Sequence, residues 1–266
     1  MAISGLFDAY AFLFSRKIFY RLNRGLFHAA ARGLGILNYK NEVVSGEQCF
    51  LKQYLSSSDR PTVLDVGSNE GSYTDMILAV NGSARVFAFE PHPTTYNRLA
   101  QRLAGAKHVT AVNAACGSAC GQLVLYDHPN SAGSCHASLH AGVIEKNQKG
   151  ESSQHVVDVI DLDTFSANQG ISVIDLLKID TEGHELEVLK GAATLLRENR
   201  IKAIQFEFNE MNIVSRVFFK DFCDLLPDFR LYRMVRDGLV AVDPSPPFWS
   251  EIFAFQNIVA LPRKTR

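Results

Sequence analysis

The segment Thr62-Val63-Leu64-Asp65-Val66-Gly67-Ser68-Asn69-Glu70-Gly71 constrains the fold of this chain more than any other. Apolar and β-branched residues lead into an acid, and two glycines follow four positions apart. Arg85-Val86-Phe87-Ala88-Phe89-Glu90 is then a second apolar run ending on a carboxylate. The pattern predicts a strand, a glycine loop, a helix over 72–80 that stops at Asn81-Gly82, and a second strand. Parallel sheets of this kind bind ligands beyond the carboxyl ends of their strands, where an acid about 20 residues after the loop can hold a ribose. Glu90 has that spacing from Gly71.

The loop departs from the dinucleotide fingerprint, which needs a second glycine two positions after the first so that the backbone can approach a pyrophosphate. Asn69 occupies that position. Asp65 would repel a pyrophosphate but suits a ligand bearing an ammonium or sulfonium group. The loop therefore reads as a site for S-adenosylmethionine, with a nicotinamide oxidoreductase as the disfavoured enzyme class. An ordinary strand-to-helix turn that happens to contain glycine is the plainer alternative.

Downstream, a helix is expected over 93–104 and a third strand over 109–115. Repetition of strand and helix predicts a doubly wound, Rossmann-like α/β sheet. Asn113, at the end of the third strand, has two readings: a contact to an adenine edge, or a local turn cap. Residues 121–126 and 155–160 are expected to form strands of an insertion spanning about 121–160, with the polar stretch between them acting as a substrate lid. His136 and His140 in that stretch can share a helical face, but no third metal ligand accompanies them. A fourth strand over 173–180 delivers Asp180, Glu182, His184 and Glu185 to the ligand side. A helix is then expected over 185–197, a fifth strand over 201–208 carrying Glu207, a helix over 216–226, and strands over 229–235 and 252–261.

Residues 1–60 read as an N-terminal helical extension and 61–266 as the main domain. Within residues 2–38, aromatic and aliphatic residues at helical spacing alternate with Arg16, Lys17, Arg21, Arg24 and Arg32. Such a stretch can lie in a membrane interface with its arginines on anionic lipid. It can equally pack as an arm on its own domain or on a second subunit. No apolar run approaches the ~20 residues that span a bilayer. The net charge of −1 disfavours nucleic acid as a partner, and the five cysteines, odd in number and without a CxxC, fit reduced thiols in a cytoplasmic protein.

Taken together, these segments resemble the FkbM family of S-adenosylmethionine-dependent methyltransferases. Leu177-Lys178-Ile179-Asp180-Thr181-Glu182-Gly183-His184-Glu185, continuing to Gly191-Ala192, is similar to the family's "KIDxEGxE…vLkGa" signature. Asp65-Val66-Gly67-Ser68-Asn69-Glu70-Gly71 is similar to "DVGANxG", with Ser68 in place of alanine. Gly46-Glu47, Phe89-Glu90-Pro91 and Gln205-Phe206-Glu207-Phe208 match shorter elements. The resemblance implies a class I methyltransferase fold and O-methylation of a sugar, glycan, lipid-linked saccharide or secondary metabolite. A module that binds the donor without turnover is the non-enzymatic alternative.

On this reading Asp65, Gly67, Ser68, Asn69 and Gly71 hold the methionine part of the donor, Glu90 with Pro91 the ribose, and Asn113 the adenine. Methyl transfer to an alcohol needs a base within hydrogen-bond reach. His184 is the expected base because its ordinary pKa lies near neutrality. Asp180 and Glu182 are expected to orient it, the acceptor or donor atoms. A rival activator is Mg2+ held by Asp180, Glu207 and Asn209.

Overall fold

A computed structural model of the protein describes residues 2–127 and 153–263. The expected elements are present with revised ends. The strands are β1 (Thr62–Val66), β2 (Arg85–Phe89), β3 (Val109–Val112), β4 (Ala115–Cys116), β5 (Gly121–Asp127), β6 (Ser153–Ile160), β7 (Leu176–Ile179), β8 (Ile204–Phe208), β9 (Phe229–Val235), β10 (Gly238–Ala241) and β11 (Gln256–Pro262). Eight of them form one sheet in the order β10-β9-β11-β8-β7-β1-β2-β3. Strands β3, β2, β1, β7 and β8 run parallel, and β11 runs antiparallel to both β8 and β9. Chain order reverses direction between β1 and β7, the switch point at which such sheets leave a crevice for a ligand.

Side chains alternate across a strand, so each strand feeds two layers. Leu64, Val66, Phe87, Phe89, Leu177, Ile179, Phe206 and Phe208 face one layer, where Leu186, Leu189, Phe219 and Phe222 cover them. Val63, Val86, Leu176, Ala203 and Val259 face the other, against Phe50, Leu51, Leu55, Tyr73 and Ile77. Each such large apolar side chain contributes about 1.5–3 kcal/mol on burial. One step toward the ligand end, the second face changes character: Asp65, Lys178 and Gln205 stand side by side on adjacent strands, all buried.

Several predicted elements divide where packing overrides local pattern. The expected third strand stops at Val112, because the Asn113 amide turns back to donate to the carbonyls of Glu90 (2.8 Å) and Pro91 (3.1 Å). The chain then joins a separate three-stranded sheet, in which β4 pairs with β6 and β5 pairs antiparallel to β6. The expected helix over 185–197 breaks into Glu185–Lys190 and Ala193–Arg197. At the break, a Cβ on Gly191 would lie 2.0 Å from the Gly117 carbonyl oxygen, so close contact between the two loops requires glycine. The expected helix over 216–226 is found as Phe219–Leu225, and a short helix that was not expected, Met211–Ser215, precedes it. The turn expected at 237–238 falls at 236–237, in a hairpin that adds β10 and pairs Gly238 with Val235.

Within residues 1–60, two parts of the chain make different contacts. Helix α1 (Ala2–Phe14), a 3-10 turn (Lys17–Phe19) and helix α2 (Tyr20–Gly33) hold mainly to each other. Tyr10 Oη donates to Asn23 Oδ1 at 2.6 Å, Asn23 Nδ2 donates to the Phe14 carbonyl at 2.9 Å, and Phe14 meets Tyr10 and Phe19 ring to ring. Among the described residues the domain leaves the apolar stripe of these helices largely exposed, unlike an arm packed on its own domain. Residues from Leu34 onward do join the domain: the Leu37 N–H donates to Phe255, and Phe50, Leu51 and Leu55 enter the core. Among the described residues no helix is long and apolar enough to cross a membrane.

Candidate active site

A cavity of about 450 Å3 opens at the switch point, beyond the carboxyl ends of β1, β2, β7 and β8. Its lining brings together Gly67, Asn69, Glu90, Pro91, Asp180, Glu182 and Glu207, seven of the residues singled out in the sequence. The two motifs, more than 100 residues apart in the chain, meet backbone to backbone. A Cβ on Gly67, whose φ is +78°, would lie 1.8 Å from the Asp180 carbonyl oxygen. That contact is possible only for glycine.

At one end of the cavity, Glu90 is held as an acceptor by the loop beside it. Its Oε2 accepts from the Asn69 N–H at 3.0 Å and its Oε1 from the His92 N–H at 2.8 Å. Asn69 adopts a left-handed conformation to present that N–H, and the N–H groups of Gly67 and Ser68 both donate to the Phe89 carbonyl. Burial lifts the Glu90 carboxyl to about 7, against the pull of these two backbone donors. Each carboxylate oxygen keeps a second lone pair. The group is therefore a fixed, two-oxygen acceptor suited to a vicinal diol.

The other end is acidic. Asp180 and Glu182 leave the tip of β7 and Glu207 stands on β8. Glu207 Oε1 accepts from Asn209 Nδ2 at 2.6 Å, and burial, then Asp180 and Glu182, push its carboxyl well above the usual range. The loop that carries Asp180 and Glu182 is organised by Glu185, which the sequence reading placed in the cluster without a role. Its Oε1 accepts from the N–H of Thr181 (3.0 Å), the Thr181 hydroxyl (3.1 Å) and the N–H of Gly183 (3.1 Å). These bonds hold Glu182 at a φ of +53°, outside the region a side chain prefers.

Five expected site residues lie elsewhere. Asp65 is fully enclosed beneath the loop, where Oδ2 accepts from the Thr74 hydroxyl at 2.7 Å and Oδ1 faces Lys178 Nζ at 3.6 Å, so it does not face a donor cation. Ser68 is buried with its hydroxyl on the Asp65 carbonyl. Gly71 provides a helix-packing contact, since a Cβ there would meet Leu99 at 2.8 Å. Asn113 serves as the turn cap described above and does not line the cavity. His184, the expected base, is buried outside the cavity lining with Nε2 turned toward Gly117, 3.4 Å from the position of a Cβ on that glycine.

The expected Mg2+ set, Asp180, Glu207 and Asn209, gains no support from the structure. Among the described residues no group of three His, Cys, Asp or Glu is placed to hold a metal ion. Asn209 directs its amide nitrogen at Glu207, while its Oδ1 accepts from the Met211 N–H at 2.7 Å. The histidines at 136 and 140 and most of the expected lid lie outside the described residues. Leu125 of β5, at the foot of the insertion, does line the cavity.

Sequence reasoning missed two further groups. Leu37, Tyr39 and Phe255 form part of the cavity wall, with the Tyr39 and Phe255 rings edge to face at 5.7 Å. Only tertiary contact links them. Below the loop, Gln205 Nε2 donates to Glu47 Oε1 at 2.9 Å, Tyr73 donates its hydroxyl to Gln205, and Lys178 lies 5.2 Å from the Tyr73 ring centre. The signal for this network was present in the short Gly46-Glu47 and Gln205-to-Phe208 elements, which carried no chemistry by themselves.

The strand order and the cavity at its switch point define a Rossmann-like, class I methyltransferase fold. The family described as Methyltransferase FkbM domain matches residues 65–234, and the chain belongs to that family. Among its curated relatives, a hexuronic acid methyltransferase, AglP, of Haloferax volcanii is 29% identical over 188 residues, 70% of each chain. The 2-O-methyltransferase NoeI of Sinorhizobium fredii is 24% identical over 187 residues, 67% of this chain and 76% of that one. A crystallised FkbM methyltransferase from Methylobacillus flagellatus superposes with a TM-score of 0.48 at 15% identity, covering 78% of this chain and 45% of its own.

Proposed function

We propose that the protein transfers a methyl group from S-adenosylmethionine to a hydroxyl oxygen of a neutral, sugar-bearing acceptor. The observation that carries the reading is the polarised cavity, with a preset diol acceptor, Glu90, at one end and a cluster of carboxylates at the other. The donor supplies an electrophilic methyl carbon on a sulfonium. Glu90 accepts from its ribose hydroxyls, Pro91, Ala114 and Cys116 offer apolar wall to the adenine, and Asp180 and Glu207 stabilise the positive charge.

The base follows from position. Glu207 lines the cavity and His184 does not, so Glu207 takes the hydroxyl proton as the oxygen attacks. A carboxylate with raised proton affinity is a stronger base, and a bound sulfonium beside it favours its ionised form. Donor binding therefore prepares the base. Positioning of oxygen, carbon and sulfur in line supplies the remaining acceleration.

One relative's name specifies methylation at an oxygen and another's a uronic acid acceptor, and the lining here favours a neutral acceptor over a uronate. Among the described residues it holds five acids, Glu90, Asp180, Glu182, Glu207 and Glu210, and no Lys, Arg or His. A uronate would find no cation on this lining, Lys178 being engaged behind it by Asp180 and Asp65, whereas a neutral hydroxyl can donate to these oxygens. Incubation with methyl-labelled donor and matched panels of neutral and uronic acid glycosides tests the reading. Label is expected in an ether on the neutral panel. Tight donor binding with no transfer to any hydroxylated acceptor would instead establish a donor-binding module, and preferential labelling of uronates would overturn the charge argument.

A further inference from the structure

We propose that residues 2–33 form a membrane-docking hairpin that seats the protein on anionic lipid, with α1 in the interface and the basic face of α2 on the headgroups. In α1, Leu6 (68%), Phe7 (66%) and Phe12 (78%) are mostly exposed, and Tyr10 and Leu13 are exposed beside them. Ile18 and Phe27 continue the apolar surface at 81% and 69% exposure. Folded monomers rarely expose a large apolar patch to water unless it meets a partner. The hairpin is held together by contacts of its own, Tyr10 to Asn23 and Phe14 to Phe19.

Charge identifies the partner. Residues 2–33 contain Arg16, Lys17, Arg21, Arg24 and Arg32 against a single acid, Asp8, in a chain whose net charge is −1. On α2, Arg21, Arg24, His28 and Arg32 recur at three- and four-residue spacing along one face, while Leu22, Leu26 and Ala30 occupy the other. A second copy of this hairpin would place like charges together; an anionic bilayer neutralises them. At ~1.5 Å per residue, the 13 residues of α1 reach ~20 Å, short of the ~30 Å hydrocarbon core, so α1 lies in the interface and does not span it.

Docking also orients the cavity. Leu37 and Tyr39 line its wall, and Leu37 comes only four positions after Gly33, a reach of at most ~14 Å. The cavity wall is thus tethered close to the bilayer, where an acceptor carried on lipid would be met; this last clause rests on the transferase reading.

Co-sedimentation of the full chain with vesicles tests the docking itself. Binding is expected to vesicles of phosphatidylcholine mixed with phosphatidylserine and to fall with salt, with little binding to phosphatidylcholine alone. Each surface arginine is worth about a 5-fold change in partitioning, so the double variant Arg21→Gln, Arg24→Gln should bind about 25-fold more weakly. Circular dichroism and donor binding in the absence of vesicles, both unchanged, establish that the variant is folded. Equal binding to the two vesicle types would overturn the electrostatic assignment. Failure to sediment, accompanied by a concentration-dependent dimer that Phe7→Ser with Phe12→Ser disperses, would assign the hairpin to a second copy. Failure of donor binding alone would count against the transferase reading and leave the docking untouched.

Discussion

Lys178 offers the most direct test of how the two motifs are joined. Its side chain is 7% exposed and its ammonium lies 3.3 Å from Asp180 Oδ2, 3.5 Å from the Gly67 carbonyl and 3.6 Å from the fully buried Asp65 Oδ1. Burial alone would lower its proton affinity, but Asp180, Asp65 and Glu47 together raise it above the usual lysine range. Lys178→Met keeps most of the side-chain volume, so little of the effect comes from a cavity. What it leaves is a buried Asp65 without its counter-ion. Breaking such a pair from one side costs about 3–5 kcal/mol. Asp180 is 39% exposed and can be solvated in its place, so we expect the loss to come mainly from Asp65. In a chain of this size it corresponds to a Tm lower by ~6–20 °C.

Urea unfolding followed by circular dichroism measures the loss. Adding Asp65→Asn, which removes the stranded charge and retains an acceptor for Thr74, should restore more than half of it. A loss below ~1 kcal/mol in the single variant, or no recovery in the double variant, would refute the account of Asp65 as a structural anion. Donor affinity should fall in the single variant as well, because Lys178 also ties down the Gly67 carbonyl.

Other expectations follow from the same geometry. Glu90→Gln should weaken donor binding by about 2 kcal/mol, ~30-fold in Kd by calorimetry, since a charged acceptor is lost. With the carboxyl at about 7, wild-type affinity should decline as pH drops below that value and the variant should respond less. Glu207→Gln should reduce kcat by ~100-fold or more, whereas His184→Ala should change it by less than ~10-fold; the reverse order would return the base to His184. Gly67→Ala should abolish donor binding or folding, given the clash with the Asp180 carbonyl. Glu185, raised to about 7 by burial, holds in the folded state a proton that the unfolded state releases near pH 4.5. Its contribution to stability is therefore present at low pH and declines, by ~3 kcal/mol at most, as pH rises to about 7. Glu185→Gln should flatten that slope in urea titrations across the same range.

The comparison of chain and structure separates two kinds of information. Local pattern identified β1, β2, the helix after Gly71 and the strand bearing Asp180, because apolar periodicity and glycine punctuation act within a few residues. It also brought Gly67, Asn69, Glu90, Pro91, Asp180, Glu182 and Glu207 to one end of the sheet, since a parallel sheet places strand ends together whatever its side chains do. The direction of a side chain at a strand end is another matter. Asp65 and Glu90 both close an apolar run with a carboxylate, yet Asp65 points into the layer between sheet and helix and Glu90 lines the cavity. Asp65 shares its row with Lys178 and Gln205, and that row exists only once β1, β7 and β8 are in register.

His184 shows the same limit. Its residue type suits a base at neutral pH, but it sits ahead of the short helix Glu185–Lys190 and turns toward Gly117. By itself, then, the sequence determined the sheet, the family and the set of loops that meet at the ligand. Tertiary structure alone decided which acids face the cavity, why Gly67 and Gly191 must lack side chains, and that the N-terminal stripe stays uncovered. The reason is physical: a strand or a glycine turn is specified by neighbours along the chain, whereas desolvation, counter-ions and close backbone approach come from partners on elements distant in sequence.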